Sequence, residues 1–97
     1  MSRMDQAKMA LKIKKVQKEL EREVIEVEKG EGAVRIEITG EQKLKKIHID
    51  PSLVDLEDIT MLERWLEEAV REAIQKSQQL ATEKMQPFMG MLGSLGL

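Results

Sequence analysis

Apolar residues recur in two different rhythms along this 97-residue chain. Over residues 4–23, Met9, Ile13, Val16 and Leu20 follow a 4-3-4 spacing that winds them into one stripe of a helix. At about 100° per residue, Lys14, Lys15, Lys18 and Arg22 fall on the opposite arc. Met4, Ala7 and Leu11 lie on that arc too, nearer the N-terminus. The first half of this helix is therefore apolar on two sides, and one covering surface cannot bury both.

From residue 24 the rhythm changes to period two. Val34, Ile36 and Ile38 alternate with Arg35, Glu37 and Thr39, the pattern of a strand with one buried face. Val24-Ile25-Glu26-Val27-Glu28 precedes it and Lys43-Leu44-Lys45-Lys46-Ile47-His48-Ile49 follows. In the third run Leu44 is out of phase with Ile47 and Ile49, so a bulge is expected near Lys45. Lys29-Gly30-Glu31-Gly32 and Thr39-Gly40-Glu41-Gln42 stand where hairpin turns are needed, and links this short make the sheet antiparallel.

Pro51 ends the sheet. A second helix is expected from about Asp58, with Thr60 and Glu63 as a capping-box alternative. Ile59, Leu62, Leu66, Ala69, Ala73, Ser77 and Leu80 hold helical spacing to about Met85, with Pro87 and Gly90 as closing residues. Such a helix spans roughly 42 Å at 1.5 Å per residue, whereas a seven-residue strand covers about 23 Å. An overhang that still carries apolar side chains such as Leu80 calls for a partner, and an identical chain is the usual one; the alternative is a bent helix packing back on itself. Met4, Leu11 and Leu80 are the expected dimer contacts.

Size and composition fit this frame. A chain this short makes one domain with a thin core, which oligomerisation commonly completes. The domain is expected over residues 1–88, with residues 89–97 a flexible tail of Gly, Met and Leu. With no cysteine, neither a disulfide framework nor a thiolate metal site arises. No apolar run approaches a membrane span and no secretory pattern opens the chain, so a soluble cytoplasmic protein is expected. Catalysis has little to build on, because His48, the one histidine, lies on the polar face of its strand without an orienting acid or nucleophile. Asp50, Asp55, Glu57 and Asp58 lack the ligand spacing of a calcium loop, and acids at a helix start suit its dipole. No metal, cofactor or small-molecule substrate is expected.

The net charge of −2 hides a split. Residues 1–18 carry Arg3, Lys8, Lys12, Lys14, Lys15 and Lys18 against Asp5 alone, while residues 51–97 are acidic. A dipolar chain can present a basic face despite an acidic total. Lysines on one helix face are point charges suited to phosphates, giving affinity that falls steeply with salt. The alternative for the same pattern is a solvated helix face. Trp65 and Phe88 are the only aromatic residues, so a base-stacking platform for single strands is missing.

The stretch Gly30-Glu31-Gly32-Ala33-Val34-Arg35-Ile36 through Ile47-His48-Ile49-Asp50-Pro51-Ser52-Leu53, with Met61-Leu62-Glu63 and Glu83-Lys84-Met85 in the second helix, resembles the YbaB/EbfC family of bacterial nucleoid-associated proteins. The resemblance covers roughly residues 4–85. It implies a helix, three-strand, helix subunit forming a tweezer-like homodimer that binds double-stranded DNA without catalysis, in the cytoplasm at the nucleoid. Three features depart from the family pattern. The chain enters its first helix almost directly where many members carry a Gly-rich leader, Arg71-Glu72-Ala73 stands where members often carry Asn-Asp-Ala, and the first helix is rich in Lys where others are rich in Gln and Met. The last of these favours a phosphate-facing role.

The sequence reading is thus an α+β homodimer contacting the DNA backbone through Lys14, Lys15, Lys18 and Arg22, with Lys8 and Lys12 as weaker members. Its rival is a protein-binding assembly subunit resembling prefoldin, which would need a much longer coiled coil.

Overall fold

The computed structural model describes residues 2–94, and the side chains of residues 2–90. Its elements are α1 (Arg3–Arg22), β1 (Val24–Lys29), β2 (Val34–Thr39), β3 (Leu44–Ile49), a 3-10 turn (Pro51–Leu53) and α2 (Ile59–Ser94). Ser2 opens α1 with a capping box. Its hydroxyl accepts from the Asp5 N–H at 3.2 Å, and its own N–H donates to the Asp5 carboxylate at 3.4 Å. The one acid among the first eighteen residues is thereby spent on the cap.

The sheet is antiparallel in the order β1-β2-β3. Glu37 pairs with Lys46 and Ile38 with Leu44, which leaves Lys45 as the extra residue, the expected bulge. Its effect is to bring Leu44 onto the same face as Ile47 and Ile49. Val27, Val34, Ile36 and Ile38 form the buried face of the sheet and meet Ala69 and Ala73 of α2, with Ile25, Leu62, Trp65 and Leu66 packed around them. The small Ala69 and Ala73 let the helix axis approach the sheet. On the other face of the sheet Glu26, Glu28, Arg35, Glu37, Lys46 and His48 point to solvent, as the alternation requires.

Asp58 starts α2, its carboxylate accepting the Met61 N–H at 3.2 Å; the helix uses this cap, not the Thr60–Glu63 alternative. The helix also passes through Pro87, where the sequence pattern closes it, and continues to Ser94. Pro87 lacks the N–H that would reach the Glu83 carbonyl, but Lys84, Met85 and Phe88 continue the half-buried stripe through this turn. Residues Met89–Ser94 of the expected tail are thus helical, and Leu95–Leu97 lie outside the described residues.

The molecule measures 64 × 21 × 14 Å, with a radius of gyration of 18.5 Å. A compact chain of this length would give about 12.5 Å. The excess is the distal half of α2 leaving the sheet, as the length mismatch predicts. It is not bare, however: α1 packs against it, with Met9 and Leu20 buried and Ile13, Val16 and Leu80 half-buried. The stripe of Met9, Ile13, Val16 and Leu20 therefore faces mainly α2. The overhang alone no longer calls for a partner.

Where this two-helix arm meets the sheet, the Ser77 hydroxyl donates to the Thr39 carbonyl at 2.7 Å in a fully buried setting. Ser77→Ala leaves that carbonyl without its side-chain donor. A loss of about 1–2 kcal/mol is expected in urea unfolding followed by circular dichroism.

Candidate nucleic-acid interface

Two residues, Gly40 and Lys84, fix how α1 stands on the rest of the chain. The Gly40 N–H donates to the carbonyls of Leu20 (2.9 Å) and Glu23 (3.1 Å), satisfying acceptors that the end of α1 leaves open. A Cβ at Gly40 would lie 2.8 Å from Leu20 Cδ2 and 3.0 Å from the Leu20 carbonyl oxygen, so only glycine allows this approach. From α2, Lys84 Nζ reaches Glu23 at 2.8 Å and Glu19 at 3.4 Å.

The Lys84 pKa is raised above its ordinary 10.5, chiefly by its hydrogen bond to Glu23; desolvation, next in size, opposes this, and the charge of Glu23 and the hydrogen bond and charge of Glu19 add to it. A raised ammonium pKa means that this contribution is complete below pH 10.5 and fades as pH rises through the folded-state value. The pair is solvent-accessible, so its effect is small. In thermal melts across neutral and alkaline pH, the difference between wild type and Lys84→Met should hold steady at neutral pH and close only at the alkaline end.

Beyond this anchor, Lys14, Lys15, Lys18 and Arg22 all project from the side of α1 opposite Met9, Ile13, Val16 and Leu20, and all four are exposed. Lys8 and Lys12 are exposed as well, on the flank. Among the described residues none of these six cations lies in an ion pair, whereas Lys29, Arg35, Arg71, Lys76 and Lys84 are each matched to a glutamate. Six open cations thus run along α1, whereas these five on the sheet and α2 are neutralised. The six residues form one continuous strip about 21 Å long, at 1.5 Å per residue, which is the scale of several phosphate spacings along a duplex.

Met4 and Leu11 extend the outer side of α1 toward its N-terminus and are 71% and 68% exposed. Leu80 sits on the other side of the arm, between the helices, where α1 half-covers it.

A feature the sequence does not show lies over β3. Helix α2 crosses β1 and β2 but makes little contact with β3, all six residues of which are exposed. Leu44, Ile47 and Ile49 occupy the core side of the sheet yet stand open, as do Val70 and Ile74 of α2. Leu44, Val70 and Ile74 rim an apolar cleft of about 190 Å³ floored by Ile36 and Ile38. The period-two pattern, with the bulge counted, marks these strand residues as inward-facing; only the position of the helix reveals that none of the described residues covers them fully. Lys43, Lys45 and Lys46 of the same hairpin are also exposed cations without ion pairs among the described residues. The sequence pattern does not single them out, because they alternate with apolar residues in a strand.

His48 stands on the open face of the sheet with Glu26, Arg35, Glu37 and Lys46, around a shallow depression of about 240 Å³. The neighbouring Asp50 carboxyl is held below its ordinary pKa chiefly by hydrogen bonds from Ser52, with His48 and Arg35 as lesser contributors. This is a solvated lattice of opposite charges with no nucleophile in it. Among the described residues, no helix is long and apolar enough to cross a membrane and no three His, Asp or Glu side chains gather to hold a metal.

The arrangement defines a class of fold in which a three-stranded antiparallel sheet carries a two-helix arm. A crystal structure of an uncharacterized protein from Helicobacter pylori has the same fold, with a TM-score of 0.72 over 89% of this chain and 87% of that one at 20% identity. The family described as the YbaB/EbfC DNA-binding family matches residues 1–92, and the chain belongs to it. A nucleoid-associated protein of Ruminiclostridium cellulolyticum is 42% identical over 88 residues, covering 91% of this chain and 76% of that protein. Another from Chloroflexus aurantiacus is 39% identical over 87 residues, covering 90% and 87%.

Proposed function

We propose that this protein binds double-stranded DNA as a homodimer at the bacterial nucleoid, holding the phosphate backbone by charge and catalysing no reaction. The observation that carries this reading is the strip of six open cations on α1, none of them in an ion pair among the described residues, whereas Lys29, Arg35, Arg71, Lys76 and Lys84 are each paired with a glutamate. Lys14, Lys15, Lys18 and Arg22 are its centre, and Lys8 and Lys12 extend it. The family's description as DNA-binding and the nucleoid-associated relatives support the same partner.

The dimer is supported by the apolar side of β3. Among the described residues, nine hydrophobic side chains are buried and thirteen large ones are exposed, so a single copy leaves more apolar side chains open than it closes. Leu44, Ile47, Ile49, Val70 and Ile74 are the contiguous share of that surface, and a second copy of the same face would cover it. A closed dimer of this kind would carry two arms, the tweezer shape. Met4 and Leu11, at the arm tips, would then serve a different contact between copies from the one at the sheet.

The test is fluorescence anisotropy of a mixed-sequence duplex titrated with the protein across a salt series. Binding at low salt, with affinity falling linearly on a log–log plot against salt, is expected. Absence of binding at low salt contradicts the DNA reading. Sedimentation velocity at micromolar concentration should give a dimer, and a monomer would contradict the role given to β3.

A further inference from the structure

Two apolar surfaces belong neither to the core nor to the face over β3, and they sit at opposite ends of the molecule. One is the tip of α1, where Met4, Ala7 and Leu11 line the side turned away from α2. Arg3, Lys8 and Lys12 flank this stripe. The other is the turn leading into α2. There Leu56 is 81% exposed, the most open of the large hydrophobic side chains among the described residues, with Leu53 exposed close by. Asp55, Glu57 and Asp58 surround it, and residues 50–63 contain no lysine or arginine. Asp55 accepts the Glu57 N–H at 2.9 Å and Asp58 caps α2, which holds the turn in shape with its carboxylates still facing water.

The two surfaces match in chemistry: an apolar row edged by cations at one end, and an apolar knob edged by acids at the other. They cannot meet within one chain. Helix α2, 36 residues long, spans about 54 Å, and α1 lies along its distal half with its N-terminus pointing away from the sheet. We propose that the α1 tip of one copy docks on the Leu53–Asp58 turn of another. Leu56 packs into the row of Met4, Ala7 and Leu11, while Asp55 and Glu57 approach Arg3, Lys8 and Lys12.

Because the two halves of this contact are different surfaces, each docking leaves a free tip and a free turn, and the association propagates. The apolar row is only about 10 Å long, at 1.5 Å per residue, so the contact is weak between free molecules and strengthens when a common support raises the local concentration. If the proposed DNA reading holds, duplex DNA is such a support, and the protein lines up along it while Lys14, Lys15, Lys18 and Arg22 remain on the phosphates.

The chain has no cysteine, which makes the contact directly testable without DNA. The variant L11C/L56C, oxidised gently at low ionic strength, should give a ladder of covalent species longer than a pair on a non-reducing gel. L11C and L56C separately should remain single chains, and an equal mixture of the two should yield a linked pair and nothing longer. Raising the salt should shorten the ladder. Circular dichroism checks the fold, and L11C/L53C provides a second pair should the first fold poorly. No linkage in the mixture, linkage of either single variant to itself, or a double variant that stops at the pair would overturn the proposal. Since no nucleic acid is present, these outcomes are independent of whether the protein binds DNA.

Discussion

Changing Lys14, Lys15 and Lys18 together to Glu is expected to weaken duplex-DNA binding by about 10²- to 10³-fold near 50 mM salt, and to flatten the salt dependence. Each phosphate contact contributes about 0.9 to the slope of log affinity against log salt, so losing three per protomer should remove a slope of roughly 3 or more. The three side chains are exposed and lie outside every ion pair described, so the substitution should leave the fold intact. Its thermal unfolding should match wild type within a few degrees while binding collapses. The reverse pattern, normal binding with a lowered melting temperature, would mean that these lysines support the helix and do not touch DNA.

Gly30→Ala is expected to be the most damaging single methyl group in the chain. Gly30 opens the β1–β2 turn at φ +64, a conformation that costs a residue with a side chain about 1–2 kcal/mol. The added Cβ would also lie 2.6 to 2.8 Å from three ring carbons of Trp65, which packs on the turn. Trp65 is wedged against the core between sheet and helix, so relief requires moving α2. Overpacking of this kind adds about 1–3 kcal/mol, for a total near 2–5 kcal/mol in chemical denaturation. Gly32→Ala supplies the comparison: its φ is +95, but nothing lies within 4 Å of the new Cβ. It should show the backbone cost without the clash. Equal losses at the two sites would mean that Trp65 does not hold the turn as described.

What is legible in the sequence depends on the range of the interactions involved. The element order, the antiparallel sheet and the bulge at Lys45 rest on local periodicity, and the rhythm of Leu44 against Ile47 and Ile49 carries enough information to locate the bulge. The end of α2 is not legible in the same way. Pro87 is a local stop signal, while the half-burial of Met85 and Phe88 is a tertiary effect that outweighs one absent hydrogen bond. The open side of β3 is hidden for a similar reason. Ile47 and Ile49, and Leu44 once the bulge is counted, have the spacing of core residues, and their exposure depends on where the helix axis crosses the sheet, which Ala69 and Ala73 help to set. The lysine strip is visible as composition and phase. Arg71–Glu67 and Lys76–Glu72 are i,i+4 pairs and just as visible, but the pairing of Lys29, Arg35 and Lys84 is not, because it comes from contacts between elements such as Lys84 with Glu19, 65 positions apart in the chain. That pairing gives the α1 strip its contrast.

The length mismatch between helix and strand is a sound reason to expect uncovered surface, but it points to the wrong part of the molecule. The arm is covered by α1, and the bare area is over the sheet and at the two extremities. The proposed dimer at β3 and the proposed chain-forming contact between tip and turn would therefore be separate events. Sedimentation velocity of two variants should tell them apart: Ile47→Asp should lower the mass of the basic unit, while L56C should leave it unchanged in reducing buffer.

The most direct measurement of DNA contact through α1 is an NMR footprint. A ¹⁵N-labelled protein titrated with a short duplex should show its largest amide shifts along α1 from Lys8 to Arg22, strongest at Lys14, Lys15, Lys18 and Arg22. Little change is expected at His48, Arg35 and Glu26 on the open face of the sheet. Shifts concentrated on that face, or along the outer side of α2 with α1 unmoved, would contradict the role assigned to the lysine strip.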